Sequence, residues 1–181
     1  MNEVSFKANY IGKVSVQKSY YKKYKPFDVS LVEMNPSNKS DIRAVLKTTS
    51  LWDDSLTAFT YDDMKKNVST DIFALTTQKN NLKKPLASKI LGLIQLSDNP
   101  KGGKRIEVLQ TNPKYIHNKV LNDSPKYKHI GQTLVEFATT KFSDENIYAH
   151  PTKSAVPFYQ KQGFKWLKKL NNLMFHKKME S

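Results

Sequence analysis

The sequence predicts an α/β fold on one mixed sheet: an antiparallel meander, then a βαβα unit, then a closing hairpin. Three observations carry that prediction. Apolar or alternating runs of strand length lie at Asp71 to Thr77, Lys89 to Leu96 and Arg105 to Thr111, the last two joined by a Lys101-Gly102-Gly103-Lys104 turn. Leu134, Phe137, Ala138 and Phe142 then repeat at helical spacing, followed by a short strand Asn146 to Ala149 and a second helix opened by Ser154 with Pro157 in its first turn. Lys165 to Leu170 and Leu173 to Met179 flank Asn171-Asn172 as a hairpin.

Towards the N-terminus, residues 1–27 form a basic extension that packs loosely or adds an edge strand, and residues 28–181 form a single domain. Asp28 to Met34 is the first strand of that domain. The stretch Asn35 to Asp41 is turn and cap chemistry, after which Ile42, Val45 and Leu46 mark a helix running towards Trp52. A second helix, Thr60 to Val68, has Thr60 as its cap and Asp62-Asp63 in its first turn. No internal repeat or low-complexity tract interrupts this order.

Composition bounds the function. At 181 residues, 38% hydrophobic and 11% aromatic, the chain can bury one substantial core. No apolar run approaches the roughly 20 residues of a membrane helix, the N-terminus lacks a secretory pattern, and a cytoplasmic location without membrane partners is expected. With no cysteine, disulfides, a thiol nucleophile and thiolate metal sites are excluded. His117, His129, His150 and His176 lack ligand spacing, so no metal site is expected.

The formal charge of +14 sits at the ends: residues 1–27 and 159–181 each hold six lysines against one glutamate. Tyr20-Tyr21-Lys22-Lys23-Tyr24-Lys25 interleaves aromatic and basic residues as single-stranded nucleic-acid binders do. Against this, Arg43 and Arg105 are the only arginines, whereas base readout leans on arginine's planar fork, and lysine enrichment also follows from an adenine-rich coding sequence. Nucleic acid is therefore a partner to keep open but not the favoured one.

Chemistry concentrates at Lys128-His129-Ile130-Gly131-Gln132-Thr133, immediately before the helix pattern at Leu134. A cation, a glycine and free amides at a helix start converge on an anion, which makes this a pyrophosphate cradle. Gly131 lets the backbone approach the phosphate without a Cβ in the way.

At these residues the chain resembles the GNAT superfamily of acetyl-coenzyme A dependent N-acetyltransferases. Their loop of Arg or Gln, two residues, Gly, one residue, Gly or Ala is matched by Lys128 to Thr133. Their later aromatic-Tyr pair and Gly-Phe are matched by Phe158-Tyr159 and Gly163-Phe164. The departures are Lys128 for the fork, Thr133 for the final small glycine and Thr152 where many relatives have asparagine. The resemblance spans about residues 28 to 179.

What it implies is a GNAT-like fold that takes acetyl-CoA as donor and acetylates a primary amine. The loop Lys128, His129, Ile130, Gly131, Gln132 and Thr133 would hold the cofactor, with Leu109 and Thr111 meeting its pantetheine arm. Glu107, the only carboxylate on its strand, is the candidate base for deprotonating the amine. Tyr159 is the candidate acid for the leaving thiolate. His150 is an alternative base, and Trp166 and His176 are acceptor-site candidates. Leu51, Trp52, Leu56 and Phe59 would form the substrate-side wall near Asp53, Asp54, Asp62 and Asp63. Residues 114–124 form an insertion, a lid or a passive loop anchored at Tyr115-Ile116. The competing readings are a GNAT-fold binding module with weakened catalysis and a toxin-like enzyme acting on an aminoacyl nucleic acid.

Overall fold

The computed structural model describes residues 8–21, 23–52, 55–66, 69–116, 124–167 and 173–177. Among the described residues nine strands form one mixed sheet: β1 Asn9–Tyr20, β2 Lys23–Met34, β3 Asp71–Thr76, β4 Ile90–Asp98, β5 Lys104–Thr111, β6 Tyr127–Lys128, β7 Ile147–Ala149, β8 Lys165–Trp166 and β9 Met174–His176. Their spatial order is β6-β1-β2-β3-β4-β5-β7-β9-β8. Every pairing is antiparallel except β5 with β7, the crossover made by a helix.

The helices are α1 Lys39–Trp52, α2 Ser55–Lys65, α3 Ile130–Lys141 and α4 Val156–Lys161. They cover opposite faces of the sheet. Phe73 and Leu75 of β3 pack with Ile130, Leu134, Val135 and Ala138 of α3 in one core. Ile72 and Ala74, which point the other way, pack with Ala44, Val45 and Trp52 of α1 and Met64 of α2 in a second. Covered on both sides, β3 and β4 read as near-continuous apolar runs.

The meander, the βαβα unit and the hairpin follow the predicted order, with differences at the edges. Residues 9–20 form a full strand, between β2 and the two-residue β6, with Val16 buried in the α3-side core. β2 begins at Lys23, so the first strand predicted from Asp28 extends five residues further back. Asn38 caps α1, its Oδ1 accepting the Ser40 amide at 2.7 Å. Thr60 is no cap: α2 starts at Ser55 and Thr60 is buried within it, because the apolar Met64 and Tyr61 set the face and the polar residue is carried inside. Helix α3 starts at Ile130 instead of Leu134, so Gly131 to Thr133 form its first turn. In the closing hairpin, residues 168–172, and 53–54 between α1 and α2, lie outside the described residues.

The sheet opens where the site sits. β5 pairs β4 along its whole length, up to Gly92↔Thr111, but pairs β7 only through Lys104, Arg105 and Ile106. From Glu107 onward its other edge is unpaired among the described residues, and the two parallel strands diverge. The closed end is pinned by Lys104, whose amide donates to the Asn146 carbonyl at 2.9 Å and whose ammonium bridges Asp71 and Asp98 at 2.8 and 2.6 Å.

Candidate functional site

The cleft along the free edge of β5 has a volume of about 550 Å³ and runs between β5, the start of α3 and α4. Leu109 and Thr111 form its strand wall; Lys128, His129, Ile130, Gly131 and Gln132 form its head; Phe158, Tyr159 and Lys161 form its α4 side. Among the described residues no carboxylate lines it.

The head is a helix N-terminus built for an anion. His129 has left-handed backbone (φ 66°) and gives α3 no side-chain cap, so the leading amides of Ile130, Gly131 and Gln132 have no carbonyl ahead of them to bond. The helix dipole adds positive potential at the same place. Gly131 lies against Thr111 and Phe158: a Cβ there would sit 3.6 Å from Thr111 Oγ1 and from Phe158 Cζ. A methyl fits, whereas any longer side chain enters the space in front of the amides. These residues suit a pyrophosphate.

Two of the expected residues lie outside this cleft. Thr133 turns inward: its amide bonds the His129 carbonyl at 2.8 Å and its hydroxyl donates to the Ser15 carbonyl at 3.3 Å. The side chain anchors α3 to β1. Glu107 lies on the other side of the sheet, because β5 carries a bulge there. Ile106 and Val108 pair with the consecutive residues Leu96 and Gln95, leaving Glu107 the extra residue. Its side chain enters a recess of about 520 Å³ with Phe59 and Asp63 of α2, Thr70, Ser97, Asp98 and Arg105. Within it, Glu107 Oε1 accepts from Ser97 Oγ and from Arg105 Nε, the latter at 2.7 Å, while Oε2 has no such partner among the described residues. Asp63 Oδ2 accepts from Gln95 Nε2 at 2.6 Å.

Tyr159 sits in the cleft wall, stacked edge-on against Phe158 and Phe164 with centroids 5.2 Å away in each case. It is both a packed aromatic and a cleft residue. Burial pushes its phenol up to about 12, which keeps the proton on the oxygen at neutral pH.

Of the remaining candidates, Trp52 is core and Phe59 is the wall residue of the recess, 62% exposed. Leu51 is exposed on the surface; the Leu56 side chain, Asp53 and Asp54 lie outside what the structure describes. His176 packs on Phe164, Trp166 is exposed, and Thr152 contacts Ser154. Tyr115 anchors the start of the insertion, edge-on to Tyr127 at 4.9 Å, and both line the cleft; residues 117–123 lie outside the described residues. Lys161 was not among the sequence candidates. It follows Phe158 by three residues, so the helical repeat puts both on one face.

No protein-family model and no curated protein matches the sequence. Among solved structures, a GNAT-family acetyltransferase from Staphylococcus aureus Mu50 is similar over 81% of this chain and 98% of its own, with a TM-score of 0.52 at 14% identity. The Bacillus subtilis N-acetyltransferase YlbP in complex with coenzyme A matches over 72% of this chain and 88% of its own (TM-score 0.46, 14% identity). A putative streptothricin acetyltransferase from Bacillus anthracis in complex with acetyl coenzyme A matches over 94% and 88% (TM-score 0.44, 16% identity). The chain has the fold of the GNAT acetyltransferases.

Proposed function

We propose that the protein is a GNAT-type N-acetyltransferase that moves an acetyl group from acetyl-CoA directly to a primary amine. The observation that carries this is a cleft along an edge of β5, which among the described residues is unpaired and free of carboxylates, headed by the leading amides of α3. An extended thiol ester fits such a cleft: its amides can bond the free strand edge and its pyrophosphate the helix start. With no cysteine, no acyl-enzyme on sulfur is available, so the amine attacks the thioester carbon itself.

Two residues are assigned to the protons. The amine nitrogen bonds to the carbonyl carbon as the carbon–sulfur bond breaks. Glu107, through Oε2 and water, takes the proton the nitrogen sheds, and Tyr159 gives its phenolic proton to the departing thiolate. Arg105 and Ser97 hold Glu107 in its orientation. Lys128, His129, Ile130, Gly131 and Gln132 hold the cofactor's phosphates, and Leu109 and Thr111 its pantetheine arm.

The test is calorimetric titration with acetyl-CoA, followed by thiol release on adding a panel of amines. Saturable binding, with thiol release that needs an amine and falls at least about tenfold in Glu107→Gln, is the expected result. A folded protein that shows no heat with acetyl-CoA would end the acetyltransferase reading.

A further inference from the structure

One surface lies outside the acetyltransferase reading. On the face of the sheet that carries α3, the distal half of the β1–β2 hairpin presents Lys18, Tyr20, Lys23, Lys25 and Phe27. The register sets Lys18 directly opposite Lys25 and Tyr20 directly opposite Lys23. Beneath them, Tyr127 of β6, only 5% exposed, pairs with Lys18 and lines the cleft, forming the floor of this face. Lys18 Nζ hangs 4.3 Å from the Phe27 ring, 4.9 Å from Tyr20 and 6.0 Å from Tyr127, and Lys126 Nζ lies 5.8 Å from Tyr127. The result is a strip of cations and rings leading from the cleft to the hairpin tip, where Tyr21 is 100% exposed.

The strip is electrostatically unbalanced. Residues 9–27 and 124–131 contain no Asp or Glu, and among the described residues no carboxylate pairs with Lys18, Lys23, Lys25 or Lys126. Like charges directly opposite one another on a sheet repel, so Lys18 and Lys25 carry a cost that an anion would remove. The cofactor does not supply enough of it: with its pyrophosphate at α3, coenzyme A has one further phosphate for four lysines. A repeated phosphate, with flat bases to lie on the exposed rings of Tyr20 and Tyr21, matches this chemistry.

We propose that this face of the β1–β2 hairpin, with β6, docks a single-stranded nucleic acid beside the cleft. Lysine without arginine makes the contact one of backbone charge and stacking, indifferent to sequence.

The experiment is fluorescence anisotropy of the full chain with a labelled oligothymidylate of about fifteen nucleotides, at a series of salt concentrations. Binding should weaken with salt, and the Lys18→Glu, Lys23→Glu, Lys25→Glu triple variant should lower the slope of log affinity against log salt by ~2, at about 0.7 per phosphate lost. Tyr21→Ala, at a side chain that contacts no core, should lower affinity at least about fivefold. A matched reversal of Lys79, Lys83 and Lys84, on the loop before β4, should leave affinity within about twofold. Three results would overturn the proposal: no binding at low salt, equal loss in the matched reversal, or full displacement of the oligonucleotide by saturating coenzyme A.

Discussion

Strand β5 divides the site into two unlike halves. Its C-terminal part, Leu109 to Thr111, faces a cleft that is mostly apolar, free of carboxylates among the described residues and headed by backbone amides. Its bulged middle, Glu107 and Val108, faces a recess in which Arg105 pairs with Glu107 and the Gln95 amide donates to Asp63. One half presents unmet hydrogen-bonding capacity to a ligand; the other has met most of its own. Under the proposed function, the difference would leave the cofactor side preformed by the backbone and make acceptor recognition depend on side chains that an incoming amine must share.

The largest effect expected is at the head of the cleft. Gly131→Glu places a carboxylate before the α3 amides, occupying their space and cancelling the helix dipole. Acetyl-CoA affinity measured by titration should fall at least about a hundredfold, since repulsion adds to the lost phosphate contacts. The fold should be retained, because only the part beyond Cβ projects past Thr111 and Phe158. Glu107→Gln, across the strand, should leave that affinity unchanged; if both substitutions weaken it alike, the two halves are not separate.

Next in size is Tyr159→Phe. The two neighbouring rings and the burial are kept, and only the proton is removed. Turnover should drop by about a hundredfold, in the range of one proton transfer, with cofactor affinity within about twofold. Equal turnover in the variant would reduce Tyr159 to packing.

The same division explains what the sequence disclosed. The cleft's head is local in the chain: a cation, a glycine and a helix onset within six residues, legible because a phosphate site needs consecutive amides. The four helices and the meander were legible from periodicity, although α2's start at Ser55 and α3's at Ile130 were not. A helix adds turns wherever neighbouring packing holds them, which one sequence does not display. The recess was illegible for a different reason. Glu107 was read as the base from its strand alone; that a bulge of one residue puts it on the opposite face from Leu109 and Thr111 is revealed only by the β4 register. Thr133 matched a motif position, but Ser15, more than a hundred residues away in sequence, claims its hydroxyl.

A smaller effect should come from beneath the cleft. At Gly92, β4 passes under α3 so closely that a Cβ would stand 2.6 Å from Ile130 Cγ2 and 3.1 Å from the Gln110 carbonyl oxygen. Gly92→Ala must therefore push α3 or β5 outward, costing about 1–3 kcal/mol, as overpacking does. Chemical denaturation should show the loss, accompanied by weaker acetyl-CoA binding as the amides of Ile130 and Gly131 shift. A stability loss with unchanged binding would show that the cleft's head does not depend on this contact.

The smallest change should be confined to the other face and leave the cleft untouched. Asp41 in the first turn of α1 is fully buried, and its carboxylate accepts the Asn35 amide at 2.8 Å. Burial pushes its carboxyl up from 3.8 to about 6, outweighing the bonds from Asn35 and Ser40. The native state therefore holds this proton at pH values where the unfolded chain has released it. The stabilisation this gives is complete below about pH 4 and is lost as the pH rises through about 6. Asp41→Asn keeps an oxygen for the Asn35 amide and removes the titration. Melting temperatures of the two proteins from pH 4 to 8 should converge or favour the parent at the acid end, and favour Asp41→Asn above pH 6, while acetyl-CoA affinity stays the same throughout. A difference curve that is flat with pH would show that Asp41 meets enough solvent or donors to ionise normally, and a change in cofactor affinity would show that the two faces of the sheet are coupled.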